Sequence, residues 1–79
     1  MSSDPNFKVF QSSNLQSGRY DPLSGTLTLE FVNGRRYVSR EPVPSRVWST
    51  LYSAVQPKQY FDAYIKPAFS FREITDANS

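Results

Sequence analysis

The chain has 79 residues, which is enough for one domain around one hydrophobic core. It contains no cysteine and no histidine, so disulfides, thiolate metal sites and thiol nucleophiles are excluded, as is the side chain best suited to proton transfer near neutral pH. Nine lysines and arginines against seven aspartates and glutamates give a net charge of +2. This mild basic bias is well short of a typical DNA-binding domain.

Aromatic residues make up 15% of the chain and supply much of the material for a core. Each buried ring removes on the order of 150–250 Å² from water. A domain this small buries only about 60–65% of its unfolded surface. It therefore either stands near the lower limit of independent stability or gains support from self-association as a homodimer.

The missing residue types also bear on location and chemistry. A secreted domain of this size usually needs disulfides, and no apolar run approaches the ~20 residues of a membrane span, so we expect a cytoplasmic protein. We expect no bound metal, no cofactor and no catalytic site. An enzyme that uses Asp21 or Tyr20 is the least favoured alternative, because it would need a deep pocket around these residues.

In chain order, residues 1–8 have the composition of a flexible leader, residues 9–74 form the domain and residues 75–79 are a polar tail. The first predicted strand runs from Asn14 to Tyr20 and is followed by a turn over Asp21–Gly25. The clearest strand runs from Thr26 to Val32, where Leu27, Leu29 and Phe31 alternate with the intervening residues.

The turn at Asn33-Gly34 leaves two registers open for the next strand. A two-residue turn on Asn33-Gly34 pairs Leu29 with Val38 and directs Tyr37 outward. A three-residue loop over Val32–Gly34, with the glycine as a bulge, pairs Leu29 with Tyr37 instead. A slip of one residue exchanges the two faces of the strand.

We favour the three-residue loop because it buries the larger ring, Tyr37. It also leaves Arg36 and Arg40 together on the outer face. The strand runs from Arg35 to about Arg40 and ends before Pro42, which has no N–H to donate to a sheet.

Apolar residues at helical spacing predict two helices in the second half of the chain. The first begins at Pro44 or Ser45 and carries Val47, Leu51 and Val55, with Trp48 and Tyr52 alongside. Pro57 then starts a second helix, which ends at Pro67 and carries Tyr60, Phe61, Tyr64 and Ile65. A short extended segment, Phe69 to Ile74, closes the chain. The prediction is an α+β domain: a three-stranded antiparallel β-meander with the two helices packed on one face.

This order of motifs resembles the KTSC domain, a small module named for its occurrence at the C-terminus of some lysyl-tRNA synthetases and also found in free-standing bacterial and phage proteins. The matching features are Ser12–Leu15, Tyr20-Asp21, Gly25–Leu27, Leu29, Phe31, Asn33-Gly34, Tyr37, Val43-Pro44, Leu51, Ala54, Tyr60-Phe61, Ile65, Phe69 and Phe71–Ile74. The chain departs from the family at Arg19, where glycine is usual, and at Asp62, where asparagine is usual. The resemblance implies a shared fold and, through the synthetases, a role related to RNA.

The first candidate site is a basic face of the sheet. Arg36 and Arg40 would share the outer surface with Glu30, with Arg35 at the turn and Arg19 on the neighbouring strand. Guanidinium groups suit phosphate oxygens, and a sheet flanked by aromatic rings can hold single-stranded nucleic acid. The alternative is a solvated surface on which Glu30 pairs with an arginine for little net energy.

Two further groups are candidates. One is a set of rings interleaved with cations, which could stack bases: Tyr60, Phe61, Tyr64, Phe69 and Phe71, with Lys58, Lys66 and Arg72. Helical spacing explains most of these rings as core, and Tyr64 is the one we expect to stay exposed. The other is a polar corner of Ser12–Asn14 with Tyr20-Asp21, which either contacts a ligand or satisfies nearby backbone groups.

We therefore expect a non-catalytic binding module that recognises RNA or another phosphate-bearing ligand. The residues expected to carry the contact are Arg19, Arg35, Arg36, Arg40 and Tyr64. The alternative is a protein–protein adaptor or inhibitor, for example a phage-encoded one, that acts through an exposed aromatic patch of Trp48 and Tyr52. Because Val47 and Trp48 are adjacent and do not easily face the same way, Trp48 fits either this patch or the core.

Overall fold

The structure is a computed structural model that describes residues 6–10, 12 and 14–74. Five strands form one antiparallel sheet in the order in which they occur along the chain: β1 Phe7–Val9, β2 Leu15–Asp21, β3 Thr26–Phe31, β4 Arg36–Ser39 and β5 Phe71–Ile74. The helices lie between β4 and β5. They are α1, Ser45–Tyr52, and α2, Pro57–Tyr60, which continues as a π-helical turn over Phe61–Ile65.

The α+β class, the antiparallel sheet and the two helices are confirmed, but the sheet has five strands where we predicted three. β1 pairs Lys8 with Gly18 and begins inside the expected leader. β5 pairs Arg72 with Val38 and forms most of the expected closing segment. Strands of three or four residues are too short to show a clear alternation, so pairing with β2 and β4 defines them. Residues 1–5 and 75–79 lie outside the described part of the chain.

The register of the β3–β4 hairpin confirms the three-residue loop. Leu29 lies opposite Tyr37, and the N–H of Phe31 donates to the carbonyl of Arg35 across the loop at 2.8 Å. Gly34 has φ of +91°, a conformation that favours glycine. Leu29 is fully buried on the helix side, so Tyr37 faces the helices and its neighbour Arg36 faces outward.

Helix α1 is shorter than the apolar repeat predicted. It ends at Tyr52, and Val55 beyond it is 94% exposed instead of buried. Trp48 and Leu51 are the buried residues of α1, and Trp48 packs on the sheet where β2 carries Gly18. A Cβ atom at Gly18 would lie 3.1 Å from the Trp48 ring, so the glycine lets helix and sheet approach closely.

The second helical segment starts at Pro57, as predicted, but changes geometry after one turn. The N–H of Lys66 donates to the carbonyl of Phe61, five residues back, at 2.8 Å. Phe61 and Ile65 stay buried in the core. Turns of this π-helical kind often occur near functional sites, and this one borders the cleft described next.

One hydrophobic cluster fills the space between the helices and the inner face of the sheet, consisting of Phe10, Leu15, Tyr20, Leu27, Leu29, Val43, Trp48, Leu51, Phe61 and Ile65. The opposite, outer face of the sheet contributes no side chain to this cluster. Of the described side chains on this face, those of Arg19 and Arg72 are exposed, and those of Thr28, Arg36 and Val38 are partly exposed.

Candidate functional site

The outer face of the sheet carries three arginines. Arg19, Thr28, Val38 and Arg72 form one cross-strand row, and Arg36 lies in the adjacent row. Residues directly opposite one another share a face. Two of the predicted arginines, Arg19 and Arg36, therefore lie on this surface together with Arg72, which the sequence associates with the aromatic group.

Arg40 and Arg35 do not belong to this face. Arg40 follows the last residue of β4 and lines a cleft on the helix side, whereas Arg36 lines a groove on the outer side. This corrects the expectation that the two share one surface, which assumed that the strand continued to Arg40. Arg35 precedes β4, and its Nε lies 3.8 Å from the carboxylate of Glu73.

The groove on the outer face is small, with a volume of about 300 Å³. Its one aromatic ring, Phe7, is already covered by the guanidinium of Arg19 at 4.9 Å from the ring centroid. Glu30 lies directly opposite Arg36 on the neighbouring strand. The groove therefore offers cations but little free aromatic surface.

A larger cleft, with a volume of about 620 Å³, opens on the helix side between β3–β5 and the π-helical turn. We call it the aromatic cleft. Its aromatic lining consists of Phe31, Tyr37, Phe61, Phe69 and Phe71, and its polar lining consists of Asn33, Arg40, Lys58, Asp62, Lys66 and Ser70. It thus combines most of the predicted aromatic group with side chains from the β3–β4 hairpin.

The rings of the aromatic cleft pack edge to face. Phe31 contacts Tyr37 and Phe61 with centroids 5.3 and 5.9 Å apart, and Phe61 contacts Phe71 at 5.4 Å. Phe61 is buried, while Phe31, Tyr37, Phe69 and Phe71 are partly exposed. The core therefore holds this wall in place while part of its aromatic surface stays accessible.

Three cations and one carboxylate line the aromatic cleft. The ammonium of Lys58 lies 2.6 Å from Asp62 and 6.0 Å from the centroid of Phe31. Among the residues the structure describes, no carboxylate lies within ion-pair distance of Arg40 or Lys66. These two cations can therefore meet an anion without first giving up a partner.

A backbone hydrogen bond holds Arg40 at the edge of the aromatic cleft. Its N–H donates to the carbonyl of Ser70 at 2.8 Å, which joins the end of β4 to the residue before β5. Because β5 then pairs with β4 through its whole length, Phe71 and Arg40 are held at the same end of the sheet.

A second cavity of about 620 Å³ borders the first. We call it the amide cleft, after the side chains of Asn14, Gln56 and Gln59 that line it together with Ser12, Val55, Pro57 and Ala63. Lys58 and Asp62 line both cavities. Their ion pair therefore stands at the boundary between the two.

The aromatic patch proposed for a protein partner is not on the surface. Trp48 is only 5% exposed, its ring stacks on Tyr20 at 6.0 Å, and it contacts Tyr52 edge to face at 5.7 Å. Tyr52 is partly buried, with the ammonium of Lys8 at 4.7 Å from its ring centroid. Of the two alternatives for Trp48, the structure therefore shows the core.

Tyr64 is 66% exposed, as expected, and packs beside Tyr60 at 5.2 Å. It lies on the π-helical turn, within the helical layer. The outer-face arginines, such as Arg36, are on the opposite side of the sheet. Tyr64 therefore does not combine with them into one surface.

Three side chains of the polar corner satisfy backbone groups. The hydroxyl of Tyr20 donates to the carbonyl of Val43 at 2.6 Å in the interior. Asp21 and Ser12 each accept a hydrogen bond from the backbone N–H two residues further along. Ser13 lies outside the described residues.

Phe31, Tyr37 and Arg40 join the aromatic group of the second half, although no pattern in the sequence predicts it. The alternation of β3 and the favoured register already directed Phe31 and Tyr37 inward. Which residues they meet there depends on the pairing of β4 with β5 and on where the π-helical turn crosses the sheet, and neither has a local signal.

No helix in the described part of the chain is long and apolar enough to cross a membrane. Within the same residues, no three or more aspartates or glutamates come together in a way that could hold a metal ion.

The family model of the KTSC domain matches residues 11–69 of the chain. A crystal structure of a KTSC domain protein from Yersinia pestis is similar to this fold with a TM-score of 0.77 and 33% sequence identity, covering 86% of this chain and 94% of that one. No curated protein is significantly similar to the sequence. The family match and the structural similarity agree, and the chain belongs to the KTSC domain family.

Proposed function

We propose that this domain is a non-catalytic module that binds RNA, or another ligand with both a phosphate and a flat aromatic group, in the aromatic cleft. The observation that carries this proposal is that one cavity is lined by partly exposed aromatic rings and by three cations, Arg40, Lys58 and Lys66. Rings stack on bases irrespective of their identity, and cations neutralise phosphates. A nucleotide has a base and a phosphate, so it can bind to both kinds of side chain.

The size of the cleft favours unpaired nucleotides over a duplex. A volume of about 620 Å³ falls within the range of small-ligand sites. Bases can stack on aromatic side chains only when they are not paired within a helix, so RNA recognition of this kind targets single strands, loops and ends. The occurrence of the family in lysyl-tRNA synthetases favours RNA over other phosphate-bearing ligands.

The aromatic cleft supports the proposal better than the outer face does. The outer groove has about half the volume, and its one ring is occupied by Arg19. In the proposal, Arg19, Arg36 and Arg72 contribute mainly to the overall positive field that attracts a polyanion.

The adaptor alternative receives less support. It requires Trp48 at the surface, and that side chain lies between α1 and the sheet and is 5% exposed. Tyr52, the other residue of the predicted patch, is partly buried and lies edge to face against Trp48.

Fluorescence anisotropy with a labelled, short single-stranded RNA tests the proposal. We expect affinity to fall steeply between about 50 and 200 mM salt, because phosphate contacts release counterions. Arg40→Glu should weaken binding about tenfold or more, the effect of losing a phosphate contact and adding a repulsive charge. Arg46→Glu makes the same charge change on the exposed surface of α1, outside both clefts, and serves as the matched control.

Two results would overturn the proposal. One is the absence of salt-sensitive binding to any single-stranded RNA. The other is an equal loss of affinity in Arg40→Glu and Arg46→Glu, because net charge alone would then explain the binding. Circular dichroism of both variants confirms that the fold is retained.

A further inference from the structure

The aromatic cleft and the amide cleft share a wall, and this wall carries a cation. Lys58 and Asp62 line both cavities. Their side chains are 32% and 46% exposed, so solvent reaches the pair. A ligand that occupied both cavities would pass over the Lys58 ammonium.

We propose that the two clefts together bind two consecutive nucleotides of one strand, with the phosphate that links them at Lys58. This inference rests on the function proposed above. One base stacks in the aromatic cleft, and the next nucleotide enters the amide cleft. Each cavity has a volume of about 620 Å³, which is within the range of sites that hold a small ligand.

The lining of the amide cleft suits the polar edge of a base and the sugar. Gln56 and Gln59 are exposed, and their side-chain amides make no hydrogen bond with another residue of the described chain. Each amide offers one acceptor and two donors, and glutamine pairs well with the edge of adenine. Val55, 94% exposed, and Pro57 supply an apolar surface beside them.

The electrostatics of the shared wall permit a phosphate to replace a carboxylate. The ammonium of Lys58 lies 2.6 Å from the carboxylate of Asp62. An exposed ion pair of this kind contributes little to stability. The ammonium can therefore exchange Asp62 for a phosphate oxygen with little loss of folding free energy. The bound phosphate then lies beside a cation.

Three ligands of increasing length separate the parts of the proposal. The first is adenosine 5′-monophosphate, the second is adenosine 3′,5′-bisphosphate, and the third is the 5′-phosphorylated dinucleotide of adenosine. Calorimetric or amide chemical-shift titration gives the affinity for each. We expect the bisphosphate to bind severalfold tighter than the monophosphate, and the dinucleotide about tenfold tighter than the bisphosphate, the gain typical of one well-placed glutamine contact with the edge of a base.

Two variants assign these gains to residues. Gln59→Ala should remove most of the advantage of the dinucleotide and leave the bisphosphate unchanged. Lys58→Met should bring the affinity for the bisphosphate close to that for the monophosphate. Gln16→Ala removes the same amide from an exposed position on β2, outside both clefts, and should change nothing.

The outcomes distinguish this inference from the function on which it rests. If the dinucleotide binds no tighter than the bisphosphate, or if Gln59→Ala weakens both ligands equally, the two-nucleotide site is overturned while nucleotide binding in the aromatic cleft stands. If none of the three ligands binds, the proposed function fails as well.

Discussion

The ammonium of Lys58 lies 2.6 Å from the carboxylate of Asp62, one helical turn further along the chain. The pair stands between two cavities and takes part in the lining of both. Asp62 is the one acidic side chain in either lining, and it engages one of the three cations of the aromatic cleft. It therefore sets how much positive charge that cleft presents to a ligand.

Replacing Asp62 by asparagine should raise the affinity for RNA severalfold. The change removes a repulsive carboxylate and releases Lys58, so the salt dependence should steepen by about one phosphate contact. Anisotropy titrations over a series of salt concentrations measure both quantities. The free energy of unfolding should change by less than about 0.5 kcal/mol, because exposed pairs at this spacing contribute little. A lower affinity in Asp62→Asn would contradict the role given to this residue.

Charge reversal on the outer face should have a smaller effect than charge reversal in the aromatic cleft. We expect Arg36→Glu to reduce RNA affinity no more than about threefold, through the long-range field alone, and Arg40→Glu to reduce it about tenfold or more. The two variants have the same net charge, so a titration at one salt concentration compares them directly. A larger loss of affinity in Arg36→Glu than in Arg40→Glu would indicate that RNA binds on the outer face of the sheet instead.

Trp48→Ala should destabilise the whole domain instead of removing a partner selectively. The ring is 5% exposed and lies against Tyr20 and Gly18, and truncation of a buried aromatic side chain costs about 3–5 kcal/mol. Denaturant unfolding measures the loss. Tyr64→Ala removes a ring that is 66% exposed and should cost about 0.5 kcal/mol or less. Similar losses in the two variants would be inconsistent with the burial of Trp48.

Removing only the hydroxyl of Tyr20, by Tyr20→Phe, should destabilise the domain even though the aromatic ring is retained. In Tyr20→Phe the carbonyl of Val43, which accepts its hydrogen bond at 2.6 Å in the interior, loses its partner, and this should lower the free energy of unfolding by about 1–3 kcal/mol. Tyr64→Phe, which alters a tyrosine at the surface, is the control. If thermal unfolding of Tyr20→Phe matches that of the unmodified protein, the hydrogen bond has little energetic importance.

Much of the fold could be predicted from local patterns. The alternation of Leu27, Leu29 and Phe31 predicted β3 and its inward face, because successive side chains of a strand point to opposite sides. Asn33-Gly34 predicted the β3–β4 hairpin, and burial of the larger ring selected the register in which Leu29 meets Tyr37. These features depend on residues that are close in sequence, and so they can be derived from it.

The edge strands of the sheet and the exact ends of the helices could not be predicted from the sequence as well. β1 and β5 are too short to carry a periodicity and become strands only by pairing with their neighbours. Gly18 has no side chain, and this makes room on β2 for the Trp48 ring, a contact that no local pattern predicts. Val55 matched the repeat of α1 and yet lies beyond the helix, because one matching residue does not extend it.

For the candidate site, the residue types could be predicted from the sequence: aromatic rings interleaved with cations in the second half of the chain, and arginines on and around β4. Their arrangement in space depends on how the strands and helices pack. The tertiary structure places Arg40 on the helix side and Arg36 on the outer side, and brings Phe31 to the second-half rings in one cleft. The physical reason is that a cleft forms between elements whose contacts span long stretches of chain, and no local pattern encodes which residues face each other across that gap.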